Sequence, residues 1–246
     1  MKIKLILTIS VVLAALLWFL NDGDGKEEKS KTTVDDCSGD RFCSFEELTE
    51  VYEEGEDWII ATSTEGNQQW LVSAIHGGGI EETTSSLAEA IAGKSFPYYA
   101  FKGRLASDNF RNLHITSTNF DEPQALEMVA MADHHISIHG AGGDERKTLI
   151  GGRDKELMKI VKRHLEDKGF AVEQAPEHLD GDHPDNYVNK TKTEKGVQLE
   201  ITRGQRKAFY KNGDISYSSR KDVSNETEDF KAYVKAIKRA MEEYKE

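Results

Sequence analysis

The sequence predicts an α/β layered fold, and three observations predict it. Strand-like and helix-like stretches alternate through most of the chain, the pattern of packed layers of sheet and helix. Two strand-like runs, Trp70 to Ile75 and His135 to His139, each lead through a histidine into a glycine-rich turn. Strand carboxyl ends are where open α/β sheets keep their sites. Hydrophobic residues make up 37% and charged residues 31% of the 246 residues, which supports one sizeable core and excludes wholesale disorder.

Composition divides the chain into three parts. Residues 1–20 form a signal or membrane-anchor segment: Lys2 and Lys4 precede Leu5 to Leu20, a run in which only Thr8 and Ser10 are polar. Nothing at its end resembles a small-residue cleavage site, which favours an uncleaved anchor over a cleaved signal. With the lysines inside, the remainder lies outside the cytoplasmic membrane, anchored or secreted. Residues 21–43 read as an acidic polar tether. Asn21 to Asp57 carries 14 acidic and 4 basic residues, so most of the net charge of -12 sits there. Residues 58–246, with 26 basic against 30 acidic residues, do not exclude an anionic substrate; no nucleic-acid partner is expected. Cys37 and Cys43 suit either a small disulfide loop or two thiols. Residues 44–246 form the catalytic domain.

Within that domain, Ser44 and Glu47 make a capping box for a short first helix. Trp58 to Thr62 and Trp70 to Ile75 are apolar strands separated by the turn-like Ser63 to Asn67. Glu81 to Ala92 is helical and stops at Gly93. Tyr98 to Phe101 and Leu113 to Thr116 have strand character. Pro123 opens a helix in its first turn, where a missing N–H does no harm. His135 to His139 alternates with period two. Thr148 to Ile150 is β-like, Asp154 to Lys168 is an amphipathic helix, and Phe170 to Glu173 is a strand. After a polar loop from Pro176 to Lys195 comes the strand Gly196 to Thr202. The end is a helix with Phe230, Tyr233, Val234, Ile237, Met241 and Tyr244 on one face.

A hydrolytic zinc site needs three protein ligands, an open position for water and a carboxylate that moves protons. His76 and Glu81 flank the turn Gly77-Gly78-Gly79 and supply two ligands; His139 supplies the third. The glycines are expected to let metal and substrate approach the backbone. Glu200 is the expected general base, because it interrupts the apolar strand Val197 to Ile201, where an unpaired carboxylate is costly; pairing with Arg203 or Arg206 is the structural alternative. His-Gly-Gly-Gly also suits the oxyanion loop of lipase-type serine hydrolases, but no Gly-x-Ser-x-Gly elbow exists here. His134 and His135 flank the strand of His139, and His135 shares its face. His164, His178 and His183 read as solvated.

These motifs together resemble the zinc-dependent poly-γ-glutamate hydrolase family of Bacillus and its phages. The resemblance runs from about Ser44 to Arg206. It is carried by Ala74-Ile-His-Gly-Gly-Gly-Ile-Glu81, Tyr99-Ala-Phe-Lys-Gly103, Leu113-His-Ile-Thr-Ser-Thr-Asn-Phe-Asp-Glu-Pro123, Ser137-Ile-His-Gly140, Gly151-Gly-Arg-Asp154 and Gly196-Val-Gln-Leu-Glu-Ile-Thr-Arg-Gly-Gln-Arg206. It implies a three-layer, zinc-carboxypeptidase-like fold with a mixed sheet between helices. It also implies Zn2+ held by His76, Glu81 and His139, catalysis by Glu200, and poly-γ-glutamate as the polyanionic substrate. Arg153, Arg203 and Arg206 lie in these motifs and suit the substrate's carboxylates, which a guanidinium binds bidentately; His114 is a further candidate for substrate contact. The N-terminal extension departs from the phage-type members. Two other functions use the same residues: a zinc amidase acting on cell-wall peptide, and a non-catalytic module that binds an anionic polymer.

Overall fold

The computed structural model describes residue 37 and residues 39–244. The expected anchor and most of the tether lie outside the described residues. Among the described residues, no helix is long and apolar enough to cross a membrane.

Seven strands form one mixed sheet in the order β1-β3-β2-β4-β7-β5-β6. They are β1 (Trp58–Ser63), β2 (Trp70–Gly78), β3 (Tyr98–Gly103), β4 (His134–Ala141), β5 (Lys147–Gly152), β6 (Ala171–Gln174) and β7 (Val197–Thr202). Strands β3, β2, β4 and β7 run parallel, so their carboxyl ends share one edge. β1 is antiparallel to β3, and β5 is antiparallel to β7. The helices are α1 (Phe45–Thr49), α2 (Thr84–Ala92), α3 (Asn109–Leu113), α4 (Pro123–Met131), α5 (Lys155–Glu166), α6 (Arg203–Ala208), α7 (Tyr217–Lys221) and α8 (Glu228–Glu243).

Alternation along the central strands sends side chains into two cores, which makes three layers. Trp70, Val72 and Ala74 of β2 join Leu87 of α2, Val161 of α5 and Tyr233 of α8 on one face. Leu71 and Ile75 join Phe42, Leu48, Val129 of α4 and Tyr187 on the other. Each fully buried Val, Leu or Ile side chain among them contributes about 1.5–3 kcal/mol. Ser44 caps the first helix as its sequence predicts, with Glu47 N–H donating to Ser44 Oγ at 3.2 Å, whereas the Glu47 carboxylate accepts from Cys43 N–H at 2.7 Å, one residue ahead of the cap.

Three expectations change. Leu113 to Thr116 is not a strand; Leu113 ends α3, and the residues after it lie against the site, so their alternation reflects one-sided burial without a ladder. Helix α2 starts at Thr84, and Glu81 lies in the turn before it, behind Thr83 at φ 87°. Phe42 is 7% exposed and packs in the second core, so the end of the expected tether is part of the folded domain. Cys37 and Cys43, whose spacing left pairing open, form a disulfide with a Cα–Cα distance of 4.9 Å.

Candidate metal centre

The parallel strands deliver the site residues to one edge. His139 and Glu200 are register partners on β4 and β7, and their neighbours Ile138 and Leu199 point into the core of the opposite face. His76 lies within β2, where the register to β3 shifts between Ala74 and Gly77. The turn that follows returns Glu81 to the strand end: Glu81 N–H donates to His76 O at 2.9 Å, and Gly140 N–H donates to Glu81 Oε2 at 2.8 Å.

The glycines of this turn serve a different purpose from the one expected. Gly78 has φ +67°, and a Cβ there would lie 2.3 Å from Gly103 O. It is the neighbouring strand, rather than a metal or substrate, that requires a bare backbone at Gly78.

Five polar groups converge at a cavity of about 450 Å3 lined by His76, Glu81, His114, His139 and Glu200. His76 Nδ1 is 3.4 Å from Glu81 Oε1 and 3.2 Å from His139 Nδ1, and His139 Nδ1 is 3.8 Å from Glu81 Oε2. Neighbouring donors of a tetrahedral ion with bonds near 2.0–2.1 Å are separated by about 3.3–3.4 Å, so the two imidazole nitrogens and the Glu81 carboxylate, which meets His76 through Oε1 and His139 through Oε2, are spaced close to a ligand set. Donor atoms of His76, Glu81 and His114 also lie within 4.8 Å of one another, and this group can hold a metal ion. His76 and Glu81 are common to both sets. Grooves of about 770 and 700 Å3 elsewhere on the described surface lack any histidine, so chemistry rather than size singles out this cavity.

Protons on His76 and His135 are set by acceptors that cannot donate. His76 Nε2 lies 2.9 Å from Ile115 O, so Nε2 carries the hydrogen and a neutral ring exposes its Nδ1 lone pair to the cavity. His135 Nδ1 lies 3.1 Å from Val188 O and its Nε2 lies 2.8 Å from Ser73 Oγ. A neutral His135 therefore accepts from Ser73, whose Oγ also lies 3.3 Å from Ser137 Oγ. Ser137 Oγ lies 2.9 Å from His139 Nε2; with the imidazole as donor in that bond, His139 Nδ1 is free to ligate.

Burial and charge shift these groups in different directions. Burial works against a charged Glu81, but His76, His139 and His114 overcome it and bring its pKa down to about 2. Burial also opposes protonation of His76, and Glu81 prevails, raising its pKa. Burial and then His76 push His139 down to about 3, and burial lowers His135 to about 4. Glu200 is raised well above the usual carboxylate range, by burial first and the Glu81 charge second; the Gln198 hydrogen bond and the Arg206 charge oppose this. Gln198 Nε2 donates to Glu200 Oε1 at 2.8 Å.

The arginines separate. Arg203 is exposed at the start of α6, just beyond the carboxyl end of β7. Arg206 is buried and donates to Ile201 O at 3.0 Å, Glu82 O at 2.8 Å and Ala141 O at 3.1 Å. It clamps strand ends, and its donors are turned to the protein rather than to the cavity. Arg153 follows Gly152, whose register partner is Val197 at the start of β7. Because β5 is antiparallel, Arg153 lies beyond the opposite end of that strand from the site. Glu200 forms no ion pair with either arginine among the described residues, contrary to the structural alternative.

Pattern did not reveal that the exposed His178 and His183 rim the cavity, since a polar loop has no periodicity to read. His164 lies away from the site and bonds Glu243 at 2.8 Å.

A family model described as poly-gamma-glutamate hydrolase matches residues 42–236. The UPF0714 protein YmaC of Bacillus subtilis (strain 168) is 37% identical over 205 residues, covering 82% of this chain and 84% of that protein. A solved bacteriophage poly-gamma-glutamate hydrolase is 36% identical with a TM-score of 0.79, over 83% of this chain and 98% of that one. A structure of apo, zinc-free YNDL is 33% identical with a TM-score of 0.77, also over 83% and 98%.

Proposed function

Because this chain belongs to the poly-γ-glutamate hydrolase family, we propose that it hydrolyses γ-glutamyl amide bonds of poly-γ-glutamate with zinc held by His76, Glu81 and His139. The observation that carries the reading is the convergence of two imidazole nitrogens and a carboxylate, 3.2–3.8 Å apart, on a cavity that also contains Glu200. His139 is taken as the third ligand because its Nδ1 lies 3.2 Å from His76 Nδ1 and 3.8 Å from Glu81 Oε2.

Zinc in this set supplies a Lewis acid for the scissile carbonyl, acidifies water and offsets the Glu81 charge that acts on Glu200. Glu200 takes the proton of the attacking water and delivers it to the leaving amine. Gln198 fixes the carboxylate through Oε1, and Asn186 in turn donates to Gln198 Oε1 at 3.3 Å. Arg206 keeps the ends of β4 and β7 together and holds Glu82 beside the ligand Glu81. Arg203, exposed at the same edge of the sheet, is the arginine best placed to meet a substrate carboxylate. The protein is further proposed to act outside the cytoplasmic membrane, anchored or secreted; the apolar run Leu5 to Leu20 and the Cys37–Cys43 disulfide support this, since disulfides persist in oxidising compartments.

The test is metal analysis coupled to chain-length measurement on purified poly-γ-glutamate. About one zinc per chain, shortening of the polymer and loss of both in His76→Ala are expected, with His164→Ala retaining both. Equal metal loss in the two variants sinks the ligand assignment. Cleavage of wall peptide with the polymer left intact supports the amidase instead, and binding without shortening supports a non-catalytic module.

A further inference from the structure

His114 and the loop ahead of α1 have no part in the proton transfer just described, yet the fold ties them tightly together. The Cys37–Cys43 disulfide closes that loop. Within it, Asp40 N–H donates to Cys37 O at 3.0 Å, fixing the backbone from which the Asp40 carboxylate projects. Phe42 anchors the loop in the core, and Arg41 donates to Asn112 Oδ1 at 2.7 Å. Asp40 Oδ2 accepts Thr116 N–H at 2.6 Å, and Oδ1 lies 2.7 Å from His114 Nδ1.

The His114 ring is stacked against two other rings. Its centroid is 4.0 Å from that of His76 and 4.5 Å from that of Phe110, with interplanar angles of 36° and 31°. Stacking fixes the plane but leaves open which nitrogen carries the proton. Asp40 resolves this, because a carboxylate only accepts: a neutral His114 keeps its hydrogen on Nδ1 and offers an Nε2 lone pair. His114 lines the catalytic cavity, so a lone pair, rather than an N–H, is available there.

We propose that the disulfide-closed loop is part of the active site, with Asp40 as a positioning residue that locks His114 in the Nδ1–H form so that Nε2 accepts a hydrogen bond from substrate. The kinetic consequence rests on the hydrolase reading above; the tautomer does not.

Asp40→Asn is the sharpest perturbation, because it is nearly isosteric. Thr116 N–H still requires the amide oxygen, so the new NH2 group faces His114 Nδ1 and moves the ring proton to Nε2. The experiment uses the full chain as wild type, Asp40→Asn, His114→Ala, the double variant and Cys37→Ser/Cys43→Ser. It measures kcat and KM on poly-γ-glutamate, zinc content, and the His114 tautomer by imidazole nitrogen NMR. Asp40→Asn is expected to lower kcat/KM on the order of 10–100-fold at unchanged zinc content. In the His114→Ala background it is expected to change it by less than about twofold, because a residue acting through another is non-additive with it. The nitrogen spectrum is expected to switch from Nδ1–H to Nε2–H, and the cysteine variant to show a mixture of the two with an intermediate rate.

An Asp40→Asn loss of the same size in both backgrounds overturns the proposal, as does an unchanged tautomer. A cysteine variant with wild-type tautomer and rate overturns the part assigned to the disulfide. If wild type leaves poly-γ-glutamate uncut, the hydrolase reading fails, and the NMR arm still decides the tautomer.

Discussion

Replacing Gly140 by alanine tests whether precise placement of Glu81, and not only its presence, determines function. Gly140 follows His139, and a Cβ at this position would lie 2.9 Å from both Arg206 Cζ and Glu81 Cβ. Ordinary contact begins near 3.4 Å, so one or both neighbours must withdraw by about 0.5 Å. Neither is free to do so: Arg206 is bound to Ile201, Glu82 and Ala141, and Glu81 accepts the Gly140 N–H itself. Overpacking of this kind costs about 1–3 kcal/mol, which for a domain of this size lowers Tm by about 2–12 °C. A displacement of this size at a ligand reaches the tolerance of a catalytic constellation, and a fall in kcat/KM on the order of 10–100-fold is expected. Gly142→Ala is the matched control, because nothing lies within 4 Å of its added Cβ. Thermal melts, zinc affinity and polymer shortening are measured on both variants. Equal behaviour of the two refutes the steric reasoning; a lower Tm with unchanged zinc affinity and rate refutes its extension to the metal centre.

Three other outcomes follow from the same geometry. Glu200→Gln should keep zinc and lose about 10²–10⁴-fold in kcat, as read by polymer-length kinetics alongside metal analysis. Zinc affinity should fall with acidification by about one log unit per pH unit below the raised pKa of His76, because its proton must leave Nδ1 and those of Glu81 and His139 are already gone at neutral pH. Competition titrations from about pH 5.5 to 8 check this, and a flat profile contradicts it. In the metal-free protein the sign is reversed: protonation of His76 adds stability that is fully present below the unfolded pKa of 6.5 and is lost as pH rises through the folded value. Arg206→Lys should lower Tm, since an ammonium cannot reproduce the fork that serves three carbonyls and each one left unsatisfied costs about 1–3 kcal/mol.

Local sequence determined the elements and much of the candidate constellation. Ser44 specifies its cap on the first helix from neighbouring residues. The alternation of Val197, Leu199 and Ile201 with Gln198 and Glu200 fixes which face of β7 the carboxylate occupies. A strand leading through histidine into glycines marks both His76 and His139 in the sequence alone. Relationships between distant segments lay beyond that reach. Arg153 shares a motif with site residues, but β5 runs antiparallel to β7 and carries it to the other end. Arg206 looked like a free cation and is a clamp, because the carbonyls that receive it come from β4, β7 and the turn before α2. Asp40 sits in a stretch whose composition reads as tether, and it meets a histidine 74 residues away. The chain of contacts from Val188 through His135, Ser73 and Ser137 to His139 likewise joins three segments. Local patterning reports propensity and face, which depend on near neighbours. Strand direction, proton placement and charge neutralisation depend on which distant groups are brought within about 3 Å, and only chain packing sets that.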